Sequence, residues 1–206
     1  MSSWIIALVF GSLAAFVGGV TWHAHASSPR ARLARRMRRF RAVRVADLHV
    51  GELVKVVGTV RLGPAPLLSR ATKTPCAYFR HVVLREHVDA IHDGWGSRRS
   101  RARPPPWVVA DRQEAQDFTL EDDTGRVHIR MERYDVSIGT DAMSAAIESE
   151  RLVTEGMTVA VLGEVGEHDA AGEEATYRTV GRAMCIGAPA TFSMLVTDDS
   201  DVVGTL

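Results

Sequence analysis

The sequence predicts a mainly β fold: a small antiparallel OB-like barrel with one short helix, preceded by a single transmembrane helix. Many short runs after residue 46 alternate apolar and polar side chains, which is the period of half-buried strands. Two of these runs contain a mid-strand glycine, a residue that small barrels use where a strand bends. Strand and helix patterns do not alternate along the chain, which disfavours a parallel α/β sheet.

The predicted transmembrane anchor comprises residues 1–28. From Trp4 to Trp22 it has 19 residues without a charge, and a helix of this length reaches about 28 Å, close to the hydrocarbon thickness of a bilayer. The two tryptophans favour the membrane interfaces. A cleaved secretory signal is the alternative, with Ala24-His25-Ala26 as the cleavage site. The absence of a basic residue before Trp4 favours a retained anchor.

Residues 29–45 form a basic juxtamembrane segment. They contain eight arginines and no acid, a charge of +8; the rest of the chain holds 17 of the 25 basic residues against all 25 acids, a charge of −8. Basic residues beside a span tend to stay in the cytoplasm, so we expect the N-terminus outside and the soluble domain cytoplasmic. An acidic domain also argues against a specific nucleic-acid binder.

The same segment is predicted to be a helix that contacts the membrane surface. Leu33, Met37 and Phe40 form one apolar stripe, with arginines at most other positions. Such arginines are attracted to anionic lipid; the alternative is that they only determine topology. The predicted membrane-surface residues are Arg30, Arg32, Arg35, Arg36, Arg38, Arg39, Arg41 and Arg44.

Residues 46–197 form the predicted β domain, and residues 198–206 an acidic tail. Two predicted strands, at residues 50–61 and 156–165, both contain the pattern G-x-x-V-x-V-x-G-x-V. The repeat indicates either an internal duplication or convergence on a common strand chemistry.

The other predicted elements lie between these two strands. Aromatic, bulky and β-branched residues from Thr74 to Glu86 predict one long, half-buried strand around which the others gather. An Asp-Asp-Thr-Gly turn between two alternating runs predicts a hairpin from Phe118 to Met131. The predicted helix runs from Asp141 to Glu150, with Asp141 as its N-cap.

A long loop is predicted at residues 89–112. It is rich in Gly, Ser, Arg and Pro and has no periodicity. Loops beyond about 15 residues are usually functional or disordered. This one is therefore either a disordered insertion or a contact surface for lipid, acidic protein or single-stranded nucleic acid. The predicted contact residues are Trp95, Arg98, Arg99, Arg101, Arg103 and Trp107.

No catalytic, cofactor or metal site is predicted. Cys76 and Cys185 are too few for a four-cysteine zinc site, and we expect two buried thiols or one disulfide. Cys76 and His81 suggest a nucleophile and its base, but five residues along one strand separate them by about 17 Å on opposite faces. The acids of the hairpin turn are expected to be solvated rather than to bind a cation. They are Glu121, Asp122 and Asp123.

Four segments in sequence order resemble a known family. They are G-E-L-V-K-V-V-G-T-V, then L-L-S-R-A-T-K-T-P-C-A-Y-F-R-H-V-V-L-R-E, a variable loop with tryptophan, and F-T-L-E-D-D-T-G-R-V-H-I. Over residues 48–196 this order resembles the GIDE/MULAN family. Its members are membrane proteins whose domain lies beside the bilayer, named for mitochondrial E3 ubiquitin ligases and also found in bacteria. T-P-C-x-Y-F-R and F-x-L-x-D-x-T-G-x-V are the most specific parts.

The resemblance implies a membrane-anchored, non-catalytic sensing or protein-interaction domain, with membrane lipids and an unidentified protein as partners. Ligase members of the family use a zinc-binding RING; Cys185 is the only cysteine in the last half of these 206 residues, so we expect a bacterial-like member without the RING. Two other classes stay open. One is an OB-type carrier of haem or a similar ligand on the outer face, with His81 or His128 as ligand, and the other is an enzyme using Cys76.

Overall fold

The structure is a computed structural model that describes residues 29–85, 107–139, 141–144, 147–169 and 182–204. Short strands dominate this part of the chain. The elements are α1 (Pro29–Met37), a 3-10 turn (Val45–Asp47), β1 (Leu53–Arg61), β2 (Leu67–Leu68), β3 (Pro75–Cys76), β4 (Tyr78–Arg85), β5 (Trp107–Ala115), β6 (Phe118–Glu121), β7 (Arg126–Ile129), β8 (Tyr134–Ser137), β9 (Asp141–Ser144), β10 (Glu148–Val153), β11 (Thr158–Asp169), β12 (Arg182–Gly187), β13 (Met194–Thr197) and α2 (Ser200–Val203).

Five strands close into a barrel, which confirms the mainly β prediction. Their order is β1-β6-β7-β12-β11, and β11 pairs back to β1. The barrel differs from the predicted antiparallel one at a single neighbouring pair, because β7 and β12 are parallel. A closed ring with an odd number of strands cannot alternate direction at every step, so one parallel pair is unavoidable. Outside the ring, β13 pairs with β11, and β8 pairs in parallel with β13.

The repeated glycine pattern marks the seam where β1 and β11 close the barrel. The two strands pair antiparallel, and their ends make equivalent hydrogen bonds. Gly51 donates its N–H to the carbonyl of Val165 (2.8 Å), and Gly156 donates to the carbonyl of Val60 (3.0 Å). Both glycines have positive φ, +86° and +78°, a region that favours glycine. The repeat is therefore a local two-fold relation between paired strands.

The mid-strand glycines of the pattern let neighbouring strands approach closely. A Cβ added to Gly58 would lie 2.6 Å from the carbonyl oxygen of Glu121, and one added to Gly163 would lie 2.6 Å from that of Gly187. A side chain at either position would push the next barrel strand away. The barrel interior is apolar, and its fully buried residues include Val56, Leu120, Ile129, Val161 and Ile186.

A second sheet projects from the barrel in the order β5-β4-β10-β9. The predicted long strand from Thr74 to Glu86 is divided at Ala77 into β3 and β4, because β3 pairs with β2 whereas β4 belongs to the second sheet. The prediction that the barrel gathers around this strand is also wrong. Among the described residues β4 pairs with β5 and β10, and neither of these is a strand of the barrel.

The predicted helix from Asp141 to Glu150 is wrong, because these residues contribute to strands β9 and β10. Their alanine, methionine and glutamate favour helix locally, but tertiary contacts override that preference. Glu150 is fully buried and accepts hydrogen bonds from the N–H groups of Ala71 (2.9 Å) and Thr72 (3.0 Å), and from the Thr72 hydroxyl (2.7 Å). Burial opposes the charge, but these hydrogen bonds hold the pKa of Glu150 below its ordinary value.

The predicted end of the loop at residues 89–112 is wrong. Residues 107–112 belong to β5, which pairs with β4 in an antiparallel ladder; residues 86–106 lie outside the described part. The proline run obscured this strand in the sequence, although Trp107, Val108 and Val109 have strong strand propensity. The hairpin predicted from Phe118 to Met131 is confirmed as β6 and β7.

The predicted transmembrane helix, residues 1–28, also lies outside the described residues. Among the residues that are described, no helix is both long enough and apolar enough to cross a bilayer.

Candidate functional site

The basic segment is docked on the outside of the barrel through its apolar stripe. Leu33, Ala34 and Met37 of α1 are buried and belong to one apolar cluster with residues of the barrel wall and the C-terminal segment, including Val57, Ala160, Leu162, Leu195 and Val202. The predicted stripe is thus confirmed at Leu33 and Met37, and Phe40 packs at its margin. Burial of this stripe fixes which side of α1 meets solvent.

The helix ends at Met37 rather than continuing to residue 45. After two tight turns the chain becomes extended, and Val43 donates its N–H to the carbonyl of Lys55 on β1 (2.8 Å). Val45 then enters the barrel core. The segment is therefore part of the folded domain.

All eight arginines of residues 29–45 are exposed. They lie on α1 and on the turns and extended residues after it, and we call these eight exposed residues the arginine surface. They differ in their partners, however, and the difference was not predicted.

Two of the arginines are paired with the C-terminal acids. Arg30 contacts Asp198 (3.4 Å) and Asp199 (3.7 Å), and Arg38 contacts Asp201 (2.5 Å). Two acids of the predicted acidic tail contribute to α2, where Asp199 as N-cap accepts the N–H of Asp201 (3.0 Å). The opposite charges of the two segments, +8 at residues 29–45 and three acids at 198–201, were the signal available in the sequence.

The backbone at Gly139, as well as the charge of Asp198, positions the side chain of Arg30. Gly139 donates its N–H to Asp198 (2.8 Å), and a Cβ at Gly139 would lie 1.6 Å from Nη1 of Arg30. The guanidinium therefore occupies space that only glycine leaves open. Nearby, buried Lys55 donates to the carbonyl of Val202 at the end of α2 (3.4 Å), and burial lowers the pKa of Lys55.

The partner-contact residues are placed only in part. Trp107 lies on β5 with 43% of its surface exposed, beside Val108 (57%) and Val109 (47%). Ile147 is also exposed, and its carbonyl accepts the N–H of Leu84 on β4. Together these residues form an apolar end of the second sheet that the sequence did not reveal. Trp95, Arg98, Arg99, Arg101 and Arg103 lie outside the described residues.

The two cysteines are buried free thiols. Burial, together with the nearby charge of Glu150, raises the pKa of Cys76 to about 11. A buried, protonated thiol is a poor nucleophile, so the geometry gives no support to an enzyme that uses Cys76. Cys185 lines a shallow groove of about 380 Å³ with Arg130, Arg133 and Glu164.

The two histidines considered as haem ligands each face a carboxylate. His81 lies 2.6 Å from Glu148, and His128 lies 3.4 Å from Asp117. Within the described ranges, no group of three His, Cys, Asp or Glu side chains converges on a metal position.

The acids of the hairpin turn are engaged by the protein itself. Asp122 accepts hydrogen bonds from the N–H groups of Val45 (2.8 Å), Thr124 (2.7 Å) and Gly125 (2.9 Å). Burial alone would raise its pKa, but these bonds and the Thr124 hydroxyl hold it below the ordinary value. Glu121 bridges Arg61 and Arg126. The turn therefore ties the basic segment to the barrel.

No family model matches this chain, and no curated protein matches it.

Proposed function

We propose that this chain is a membrane-anchored, non-catalytic sensing or protein-interaction domain of the GIDE/MULAN type, held at the cytoplasmic membrane face by its arginine surface. One observation carries the proposal: α1 buries its apolar stripe against the barrel while all eight arginines stay exposed. A helix mounted in this way offers a bilayer its charges rather than its apolar face. Anionic lipid is the partner that this surface fits.

The position of α1 in the chain supports the same conclusion. Only residues 23–28 separate Trp22, the end of the predicted span, from Pro29 at the start of α1. An extended chain over this interval covers at most about 25 Å. The arginine surface is therefore kept within reach of the headgroups for as long as residues 1–28 are inserted.

The barrel supports an OB-type interaction domain. A five-stranded ring in which the third and fifth strands in chain order are parallel neighbours is the OB arrangement; here these strands are β7 and β12. OB barrels are used for binding rather than for one chemistry. The proposal includes an unidentified protein partner and does not include ubiquitin transfer.

Membrane orientation is tested with an introduced thiol, because the native cysteines are buried. Arg39→Cys puts an exposed thiol on the arginine surface of the full chain. We expect a membrane-impermeant maleimide to label this variant only after cells are lysed, while the protein stays in the membrane during alkaline extraction. Labelling in intact cells would contradict the cytoplasmic orientation, and release by alkali would contradict the anchor. Leu68→Cys, exposed on β2, is the matched control for a second face of the domain.

A further inference from the structure

The arginines of α1 fall into two groups that face different surroundings. Arg30 and Arg38 are paired with the C-terminal aspartates. Arg32 and Arg36, one helical turn apart, instead border a groove between α1 and the β8–β13 pair. Neither has an ion pair with any described residue. The C-terminal acids that pair with Arg30 and Arg38 thus leave Arg32 and Arg36 available to a ligand.

The groove has an apolar base and a charged rim. Its volume is about 220 Å³, and it is lined by Arg32, Leu33, Arg36, Asp135 and Leu195. This is smaller than the pockets that enclose drug-sized molecules, which begin at about 300 Å³. It is large enough for a compact polar group with a short apolar continuation over the two leucines.

Arg36 is held in a fixed orientation. Its guanidinium carbon lies 4.0 Å above the ring of Phe192, measured to the ring centroid, which is a cation–π contact. Arg32 lies at i−4 on the same side of the helix. Two guanidinium groups at one groove match the oxygens of a phosphate diester, the group that arginine recognises best.

Asp135 determines which phosphate diester fits. It is exposed on β8 at the same groove, and it would repel a simple anion. A headgroup that carries an ammonium next to its phosphate complements both the negative and the positive charges of the groove. The ammonium donates to Asp135, and the phosphate accepts from Arg32 and Arg36. A choline headgroup carries no N–H and cannot make that hydrogen bond.

We propose that this groove is a binding site for a phosphoethanolamine lipid headgroup, with Arg32 and Arg36 on the phosphate and Asp135 on the ammonium. The inference rests on the proposed membrane function and makes it specific, since the rest of the arginine surface selects charge alone. The groove lies on the first two turns after the membrane linker, about 5 to 10 Å along the axis of α1. A lipid in the facing leaflet can therefore reach it.

Native mass spectrometry of the full chain in maltoside micelles tests the site. We expect one bound phosphatidylethanolamine with at least about 10-fold higher affinity than phosphatidylcholine. Arg32→Gln with Arg36→Gln should lose this binding, and Asp135→Asn should lose the preference for ethanolamine over choline. The matched control is Arg39→Gln with Arg41→Gln, which removes the same charge from the same segment and should bind as the unchanged protein does.

Three results would overturn the site. Equal loss in both double variants would mean a diffuse basic surface, which leaves the proposed function intact. Equal binding of the two lipids by the unchanged protein would remove the role of Asp135. Displacement of the lipid by inorganic phosphate at equal concentration would indicate a site for free phosphate. Failure of the proposed function is seen separately, in the maleimide and alkaline-extraction experiment.

Discussion

Replacing Met37 by alanine should release α1 from the barrel without unfolding the barrel. Met37 is fully buried in the cluster that joins α1 to Leu162 and Leu195. Buried methionine-to-alanine changes cost about 2–5 kcal/mol. For Met37→Ala we expect a cost of about 2–3 kcal/mol in the docking of α1, because a surface helix can shift to fill part of the cavity that the substitution leaves. The ion pairs of α1 are exposed on the arginine side, at 43% for Arg30 and 45% for Arg38, and contribute about 0–1 kcal/mol each. Apolar contact therefore dominates the docking.

Hydrogen exchange measures this docking directly, because amides report local opening. A loss of about 2–3 kcal/mol corresponds to about 30- to 150-fold faster exchange in α1, with barrel amides such as those of β1 little changed. Asp201→Asn, which removes one exposed ion pair, should accelerate exchange in α1 less than about 5-fold. Faster exchange in Asp201→Asn than in Met37→Ala would refute the reasoning, because the helix would then be held by charge.

Three further predictions follow from the buried groups. The pKa of Cys76 is raised from 9.0 to about 11, so at pH 8 the thiol should react with iodoacetamide at least about 100-fold more slowly in the native protein than in denaturant. Equal rates in the two states, measured by peptide mapping, would contradict its burial. Because the folded state keeps this proton more tightly than the unfolded state, the free energy of unfolding should fall as the pH rises from 9 towards 11. Glu150→Ala should lower the free energy of unfolding in urea by about 3 kcal/mol, because three donors lose their acceptor. Folding lowers the pKa of Glu150, so its ionised form stabilises the protein above the unfolded pKa near 4.3, and this stabilisation is lost as the pH falls. Glu150→Gln should therefore make the free energy of unfolding depend less steeply on pH in the acid range. Gly163→Ala should cost about 2 kcal/mol or more through contact with Gly187, whereas Gly63→Ala, with no atom within 4 Å, should be near neutral by thermal melting.

The barrel strands could be predicted because their signals are local. Alternation identified β1 and β11, and the Asp-Asp-Thr-Gly turn identified the β6–β7 hairpin. Pairing partners are not local. β4 and its neighbours form a separate sheet, and residues 141–144 and 148–150 lie in strands, where Glu150 finds its hydrogen-bond donors 78 and 79 residues away. Helix propensity cannot register such contacts.

The residues that make up the candidate site could be predicted from the sequence, but their arrangement in space could not. The arginine stripe and the apolar stripe of α1 could be predicted from helical periodicity. Their docking onto the barrel could not, because it depends on apolar residues on the outer wall, such as Ala160 and Leu162, which a barrel strand normally turns to solvent. The same limit applies to the acidic segment at 198–201, whose partners are more than 160 residues away.

If the arginine surface rests on anionic lipid, Arg39 lies close to the lipid headgroups, and fluorescence quenching measures that distance. The full-length Arg39→Cys variant is labelled with bimane and placed in nanodiscs that carry a nitroxide on the lipid headgroup. We predict stronger quenching with phosphatidylglycerol than with phosphatidylcholine alone, and a loss of the difference in about 1 M salt, where screening acts over about 3 Å. Leu68→Cys serves as the comparison position. Equal quenching of Arg39→Cys in the two lipid compositions, unaffected by salt, would contradict the account.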